Sequence, residues 1–290
     1  MTAAAPRPRP NRRRRARRFA RPLAVLLVLV VMLFPVYYLV LTSMSTPDQI
    51  ISTSPDTIFP HALTLANYST VLGDPQFLVF AVNSLVVAVS VTVLSVVVSA
   101  LGGYGLARLQ FRGSKHLGRL VLFAYIAPPV LLAVPMFVIM SRLGLVNTPV
   151  ALVLAHASFA IPFCVWVLRG FFLTIPPELE EAAMVDGSTR MQAFRRIVLP
   201  LARPGLLAAA MFSFLLSWNE YFYALIFLQN NAQMTLPIGI QSTYFNLSMG
   251  PDEWVNLLAA SVIASIPVFI VFAGLQRWMV SGLTAGAVRG

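Results

Sequence analysis

Long apolar runs separated by short polar stretches dominate the pattern of this chain. A helix that crosses a bilayer needs about 20 apolar residues, and six runs reach that length. They lie at about 22–42, 78–104, 119–141, 149–171, 204–228 and 255–279. Because lipid cannot satisfy free backbone N–H and C=O groups, each run is expected to be helical. The pattern therefore predicts an all-α integral membrane protein with six transmembrane helices.

Composition supports this class and excludes a water-soluble core. Hydrophobic residues make up 58% of the 290 positions and charged residues only 11%, whereas soluble domains are about 45–50% apolar and about 25% charged. Several runs contain internal prolines, which spanning helices tolerate when their neighbours satisfy the freed carbonyls. Kinks in a packed bundle are expected at Pro35, Pro128, Pro129, Pro135, Pro162 and Pro267.

The distribution of basic residues predicts the orientation. Of the 21 Lys and Arg residues, only Arg142 falls on one side of the predicted spans, and the other twenty fall on the opposite side. Loops 43–77 and 229–254 contain acidic residues and no Lys or Arg. Cytoplasmic loops are enriched in Lys and Arg. Both termini and the loop between the fourth and fifth runs are therefore predicted to be cytoplasmic.

The arginine-rich start is predicted to be a basic, disordered cytoplasmic tail at 1–20, followed by one transmembrane domain at 21–290. A signal peptide is disfavoured because the apolar run is long and no A-x-A cleavage pattern follows it. Nucleic-acid binding is disfavoured because the basic run abuts a spanning helix and no folded basic domain follows. Affinity of a solvated tail for anionic lipid is the simpler interpretation.

One face of the second run consists of small residues. They are Ala81, Ser84, Ala88, Thr92, Ser95, Ser99 and Gly103. Steps of three and four residues place them on one side of a helix, and small residues let helices approach closely in lipid. Close helix packing is the favoured interpretation, and a sliding face or a polar path formed with Asn83 is the alternative.

Glu220 is the only acidic residue inside a predicted span. An ionisable residue within the membrane indicates a function by default, so Asn83, Ser84, Asn219 and Glu220 are candidates for a pathway or a subunit interface. The neighbouring aromatic residues are equally typical of an interfacial belt. Both interpretations of Glu220 stay open.

No catalytic or metal site is predicted. His156 is the only histidine inside a span, and a metal site needs three or four converging ligands, so a hydrogen-bonded interior residue is expected. Paired carboxylates, a Ser-His-Asp set and an H-E-x-x-H pattern are absent from the sequence. Cys164 is the single cysteine, which rules out an intramolecular disulfide, and it is expected to be a small buried hydrophobe.

The sequence EAAMVDGSTRMQAFRRIVLP, called here the 181–200 loop, interrupts the apolar pattern with charges and turn residues. Two prolines before Glu178 predict the start of a short helix, and three glutamates favour its positive end. Gly187 predicts a break where a positive φ is accessible. Thr189 and Gln192 predict a capping box for a second short helix. An amphipathic connector lying on lipid is disfavoured, since an anionic leaflet would repel the glutamates.

This loop resembles the EAA motif, the hallmark of the inner-membrane permease subunits of ATP-binding-cassette importers. All seven hallmark positions match: Glu181, Ala182, Ala183, Gly187, Ile197, Leu199 and Pro200. Stretches similar to the carbohydrate branch are Leu33-Phe34-Pro35-Val36-Tyr37-Tyr38, Asn67-Tyr68, Asn83-Ser84, Gly105-Leu106-Ala107-Arg108, Trp218-Asn219-Glu220 and Gly286-Ala287-Val288-Arg289-Gly290. The resemblance begins near residue 22, leaves the preceding tail unexplained, and is closest to the maltose-type second permease.

The resemblance implies a multi-pass permease subunit of a bacterial cytoplasmic membrane that forms half of a translocation pathway. The implied coupling residues are Glu181, Ala182, Ala183, Asp186, Gly187, Ile197, Leu199 and Pro200. The implied partners are a companion permease, two cytoplasmic ATPase subunits, an extracytoplasmic solute-binding protein and the lipid bilayer, without nucleic acid. No cofactor is expected on this chain, because its only lysine, Lys115, lies in no G-x-x-x-x-G-K-[ST] pattern. ATP and Mg²⁺ are therefore expected on the ATPase.

The implied cargo is a sugar or oligosaccharide. The same machinery importing a polyamine, glycerol phosphate or another small solute is the alternative, because the 181–200 loop would serve any cargo. A third hypothesis, an integral-membrane transferase, needs converging catalytic groups at the membrane face. The isolated Glu220 does not supply them, so the chain is expected not to be an enzyme.

Overall fold

The computed structural model describes residues 12–51, 62–109, 112–126, 128–245 and 249–287. Within these ranges the chain is almost entirely helical, and the only β pairing there is an isolated bridge between Ser45 and Leu63. Residues 1–11 of the expected basic tail and the last three residues of the chain lie outside the described part. The all-helical class is confirmed.

The helices follow one another along the chain, and the longest connection, 52–65, separates α2 from α3. They are α1 (Arg12–Ser43), α2 (Pro47–Ile51), α3 (Ala66–Gly73), α4 (Pro75–Arg108), α5 (Ser114–Ile126), α6 (Pro129–Arg142), α7 (Pro149–Thr174), α8 (Glu178–Val185), α9 (Arg190–Ala193), α10 (Leu199–Leu201), α11 (Arg203–Trp218), α12 (Phe222–Phe227), α13 (Leu236–Tyr244) and α14 (Pro251–Ala287). Helix α1 begins at Arg12, inside the segment that the sequence assigns to a disordered tail.

Four of the six predicted spans are single helices with the length and hydropathy needed to cross a membrane. These spans are Pro22–Ser43, Pro75–Arg108, Pro149–Thr174 and Pro251–Gln276. Helices α1, α7 and α14 continue through their internal prolines. The six-span count itself is not established by these helices, because the third and fifth runs are both interrupted.

The third run divides at Pro128. This residue adopts an extended conformation, with φ −61° and ψ 125°, and Pro129 then starts α6. A residue that precedes a proline is pushed away from the helical region. The run predicted as one span over 119–141 is therefore two shorter helices, α5 and α6, instead of a single kinked one.

The fifth run divides after Trp218. Helix α11 ends there and α12 begins at Phe222, so the predicted span 204–228 contains a break at 219–221. At its other end, α11 meets the preceding helical segment Arg190–Leu201 at an angle of 77°. The fifth run is thus a helix that begins at a sharp bend and is followed by a break and a second short helix.

Helices α4 and α7 form the most extensive helix pair in the described structure. Four small residues of α4 are buried, Ser84, Ser95, Ser99 and Gly103, and the Ser99 hydroxyl donates to the carbonyl of Ile161 in α7 at 3.2 Å. A Cβ atom at Gly103 would lie 3.1 Å from the backbone nitrogen of Arg169 and 3.2 Å from the carbonyl oxygen of Val165. Close packing explains the stripe, as expected for small residues between membrane helices.

Within the described ranges, buried residues form three apolar clusters, and the third lies where α4, α7 and α11 meet the 181–200 loop. Its members are Ala100, Tyr104, Cys164, Leu168, Phe172, Ile175, Phe194, Val198, Ala202 and Ala209. Cys164 is fully buried there, as expected. The apolar length of α1, by contrast, is exposed in the isolated chain. The cluster that α4, α7 and α11 build therefore lies directly under the loop.

Candidate functional site

The first half of the 181–200 loop is carried by α8, whose exposed side is small and acidic. Glu181, Ala182 and Asp186 are exposed, and Val185 is 87% exposed. The three glutamates of the first turn lie at the positive end of the helix, where negative charge is stabilising. The exposed Val185 side chain, with the carboxylates of Glu181 and Asp186 beside it, forms a surface that a partner can cover.

Gly187 turns the chain at the end of α8. Its φ is 90°, and the amide of Ser188 donates to the carbonyl of Ala183 at 2.9 Å while the Gly187 amide donates to Met184 at 3.1 Å. These are the two hydrogen bonds of a Schellman motif. A Cβ at Gly187 would meet no atom within 4 Å, so glycine is favoured here by the backbone conformation and not by space.

The second half of the loop starts with the expected capping box. The Thr189 hydroxyl accepts from the Gln192 amide at 3.3 Å, and the Gln192 side chain accepts from the Thr189 amide at 2.8 Å. Helix α9 then passes into a π-helical turn over Phe194–Val198. Pro200 has no N–H, and its ring would clash with the carbonyl of residue 196 in a regular α-helix. In the π-turn the Leu199 amide instead donates to the carbonyl of Phe194, five residues back, and the chain continues into α10.

The inner side of this second half packs onto the ends of α4 and α7. Phe194 is buried, with its ring centroid 4.5 Å from that of Tyr104 and 6.1 Å from that of Phe172. Val198 is fully buried in the same cluster. Aromatic contacts of this kind add to the apolar burial that holds the loop. The loop is therefore packed onto the helix bundle and not lying free beside it.

The hallmark residues divide between these two sides. Glu181, Ala182, Asp186 and Gly187 are exposed, whereas Ala183, Ile197, Leu199 and Pro200 are half-buried. Leu199 packs against the cluster around Phe194. The structure thus exposes the acidic positions, Ala182 and Gly187, and turns the apolar positions of the second half partly inward.

Glu180 is the residue of this site that sequence reasoning missed. Its Oε1 accepts from Arg108 Nε at 2.6 Å and its Oε2 accepts from the Tyr104 hydroxyl at 2.7 Å. Arg108 also donates through Nη2 to the carbonyl of Ile175 at 2.6 Å. The stretch around Arg108 carried part of the resemblance, but Glu180 is one of three glutamates in the first turn of α8 and resembles an ordinary first-turn acid. We call Tyr104, Arg108 and Glu180 the anchor.

A second carboxylate, Glu220, closes the break between α11 and α12. Its Oε1 accepts from the Tyr223 amide at 2.7 Å, and its Oε2 accepts from the Ala224 amide at 3.2 Å. Both contacts cap the first turn of α12, as an N-terminal carboxylate does. Glu220 Oε2 also lies 3.1 Å from His156 Nε2, and His156 Nδ1 lies 2.9 Å from the Ser217 hydroxyl. His156 is buried and hydrogen-bonded, as expected.

Asn83 and Ser84 do not join Glu220. The Asn83 side-chain amide donates to the carbonyls of Ala232 and Met234 at 2.9 and 3.0 Å, and the Ser84 hydroxyl accepts from the Leu236 amide at 2.7 Å. Both residues fasten the segment before α13 to α4. At the other end of α13, the Tyr244 hydroxyl donates to Asp74 at 2.9 Å. Burial and this hydrogen bond raise the pKa of the Tyr244 phenol above its ordinary value.

Asn219 is exposed and borders an open groove of roughly 430 Å³ between α11, α13 and α14. Trp218, Pro237, Ser261 and Ser265 also line it. The four candidate pathway residues are therefore separated: Asn83 and Ser84 bind the segment that leads into α13, Glu220 caps α12, and Asn219 borders the groove. Among the residues described, no group of three or more His, Cys, Asp or Glu side chains could hold a metal ion.

The family model and the similar proteins that match this chain all describe membrane components of transport systems. Residues 96–284 match the family described as "Binding-protein-dependent transport system inner membrane component". The diacetylchitobiose uptake system permease protein DasC of Streptomyces coelicolor is 39% identical, covering 89% of this chain and 92% of its own. The trehalose/maltose transport system permease protein MalG of Thermococcus litoralis is 34% identical, covering 92% and 95%.

The inner membrane ABC transporter permease protein YcjP of Escherichia coli is 37% identical over 91% of this chain and 94% of its own. A chain in the crystal structure of a bacterial ABC transporter that imports the acidic polysaccharide alginate has the same fold. Its TM-score is 0.81 at 23% identity, covering 93% of this chain and 99% of that one.

Proposed function

Since the chain belongs to the family of binding-protein-dependent transport system inner membrane components and is a permease subunit of an ATP-binding-cassette importer, we propose that the 181–200 loop couples it to a separate ATPase and that its cargo is a sugar or oligosaccharide. It is a multi-pass protein of the cytoplasmic membrane.

The observation that carries the docking proposal is the two-sided construction of the loop. Val185 is 87% exposed between acidic residues, while Phe194 and Val198 on the other half are buried against α4 and α7. A loop that only connected two spans would need neither an apolar tip held in water nor a rigid attachment to the bundle. A small apolar tip with a polar rim is the composition of a protein contact.

The orientation proposed for the chain follows from charge. All Lys and Arg residues except Arg142 fall on one side of the predicted spans, which places the 181–200 loop in the cytoplasm by the positive-inside rule. Six spans result if α5 with α6, and α11 with α12, each cross the bilayer as a broken helix. The companion permease, two ATPase subunits bearing ATP and Mg²⁺, and an extracytoplasmic binding protein complete the proposed transporter.

The docking proposal is tested by co-purification of the ATPase with tagged permease from solubilised membranes. We expect Val185→Asp to reduce the recovered ATPase by about tenfold, because an added charge at a contact that is already acidic opposes burial. Leu143→Asp is the matched control, since Leu143 is also an exposed aliphatic residue but lies beside Arg142, on the opposite predicted side. Equal recovery with the two variants contradicts docking through this loop.

The cargo proposal rests on the relatives, whose names refer to diacetylchitobiose, trehalose and maltose. Its test is uptake of those labelled sugars by cells that lack this chain, with and without the restored gene. Spermidine and glycerol phosphate are the comparison solutes. Uptake of a sugar that depends on the chain supports the proposal, and dependence limited to spermidine or glycerol phosphate favours the alternative cargo.

A further inference from the structure

The anchor of Tyr104, Arg108 and Glu180 joins the 181–200 loop to the end of a spanning helix. Arg108 is the last residue of α4, and Glu180 lies in the first turn of α8. Their side chains are 11% and 7% exposed. The two residues are separated by 72 positions in the chain, so the anchor is a tertiary link between a membrane helix and the loop.

Glu180 is not available to a partner protein. One of its oxygens accepts from Arg108 and the other from Tyr104, whereas the neighbouring Glu181 is exposed. The exposed carboxylate therefore belongs to the docking surface, and the buried one belongs to the attachment of that surface to the bundle. These two roles require different geometry, and the structure gives each to a separate glutamate.

Arg108 ties a third element into the anchor through the carbonyl of Ile175, the residue that follows α7. A planar guanidinium offers several donors in a fixed arrangement, so it can hold a carboxylate and a carbonyl together. Helices α4 and α7 are themselves packed closely enough at Gly103 that an added Cβ would crowd the backbone of α7. A displacement of α8 would therefore move the ends of α4 and α7 or would separate a buried ion pair.

We infer that Glu180 is a positioning residue for coupling: through Arg108 and Tyr104 it makes the end of α4 follow the 181–200 loop when the ATPase moves that loop. This inference rests on the proposed function of the loop. It assigns transmission to the buried face and docking to the exposed face. Separating a buried ion pair leaves an uncompensated charge and is strongly unfavourable, so the link stays closed while the loop moves.

The test uses the complete transporter in proteoliposomes and compares single and paired variants. Glu180→Gln and Arg108→Gln each remove one charge, and the exchanged pair Arg108→Glu with Glu180→Arg restores an ion pair at the same place. Glu178→Gln is the matched control, since Glu178 is an exposed glutamate of the same helical turn. The probe is whichever labelled sugar, diacetylchitobiose, trehalose or maltose, depends on this chain for its uptake.

Three quantities are measured for each variant: recovered ATPase, ATP hydrolysis per recovered ATPase, and solute transported per ATP. For each single variant we expect about a tenfold fall in solute per ATP, a coupling loss of ordinary size for communicating sites. Recovered ATPase and hydrolysis should stay near the control. The exchanged pair should regain most of the lost transport.

Two results overturn the inference. One is solute per ATP at the control level in both single variants. The other is a loss of transport that only follows a loss of recovered ATPase, because that is the result of misfolding or failed docking. Failure of the docking proposal is separate: it is shown by Val185→Asp retaining the ATPase, whatever the anchor variants do.

Discussion

Glu180 and Glu220 are both carboxylates whose two oxygens accept hydrogen bonds, but they connect different parts of the structure. Glu180 binds two side chains of α4, far away in sequence. Glu220 binds two amides within four residues of itself, together with His156. Glu180 therefore joins two elements, α8 and α4, whereas Glu220 spans a break within a single segment. The first transmits position between elements, and the second stabilises a local bend.

Their charge environments differ in the same way. Arg108 is permanently charged, so Glu180 is one half of a buried ion pair whose loss leaves a cation without a partner. The nearest neighbours of Glu220 are amide donors and an imidazole, which carries charge only when protonated. We therefore expect removal of an anchor residue to have the larger and more distributed effect, and removal of the cap to have the smaller and more local one.

The largest effect is expected from Arg108→Met. The substitution leaves the Glu180 carboxylate buried with only the Tyr104 hydroxyl, and breaking a buried pair in this way costs about 3–5 kcal/mol. Denaturant unfolding of the purified chain in detergent measures the loss. Arg112→Met is the control, since Arg112 is exposed and surface changes usually stay within about 0.5 kcal/mol. Similar losses in both variants would remove the distinction between the anchor and a surface charge.

A smaller, local effect is expected from Glu220→Ala. Two amides of the first turn of α12 lose their acceptor, and loss of a helix cap costs about 0.5–2 kcal/mol. Hydrogen exchange should accelerate at Tyr223 and Ala224 and should stay unchanged in the anchor region near Arg108. Faster exchange throughout α4 and α8 in this variant would show that Glu220 also joins distant elements, as Glu180 does.

The smallest effect is expected from Tyr104→Phe. The ring stays packed against Phe194, and Glu180 keeps its ion pair with Arg108, so only one hydrogen bond is lost. An intramolecular hydrogen bond contributes about 1 kcal/mol net to stability. Denaturant unfolding in detergent should show a change of that order. A loss as large as that of Arg108→Met would mean that the hydroxyl, and not the ion pair, holds the anchor.

The sequence allowed the local features of the 181–200 loop to be predicted. The turn at Gly187 and the capping box of Thr189 with Gln192 are both present, because each depends on residues within one or two helical turns. Burial of His156 and close packing of the small face of α4 also agree with expectation. These features follow from residue type and spacing alone.

Three other features depended on information that spacing does not contain. The break at 219–221 needs Glu220 as a cap for the next helix, whereas hydropathy continues through the break. The π-turn before Pro200 is one of several ways to accommodate a proline. The anchor needs Arg108 to meet Glu180 across 72 positions. Glu220 could be singled out from the sequence because it is isolated in an apolar segment, whereas Glu180 lies among other charged residues.

The most direct test of the docking role is cross-linking at the tip of the loop in native membranes. Cys164 is buried, so a cysteine introduced at position 185 by Val185→Cys would be the main accessible thiol. A reagent with a maleimide at one end and a photoreactive benzophenone at the other should, after irradiation, link this position to the ATPase subunit, identified by mass spectrometry, and Leu143→Cys under the same treatment should give no such product. Contradiction would be a Val185→Cys variant that forms no link to an ATPase and is labelled by a membrane-impermeant maleimide added outside intact cells.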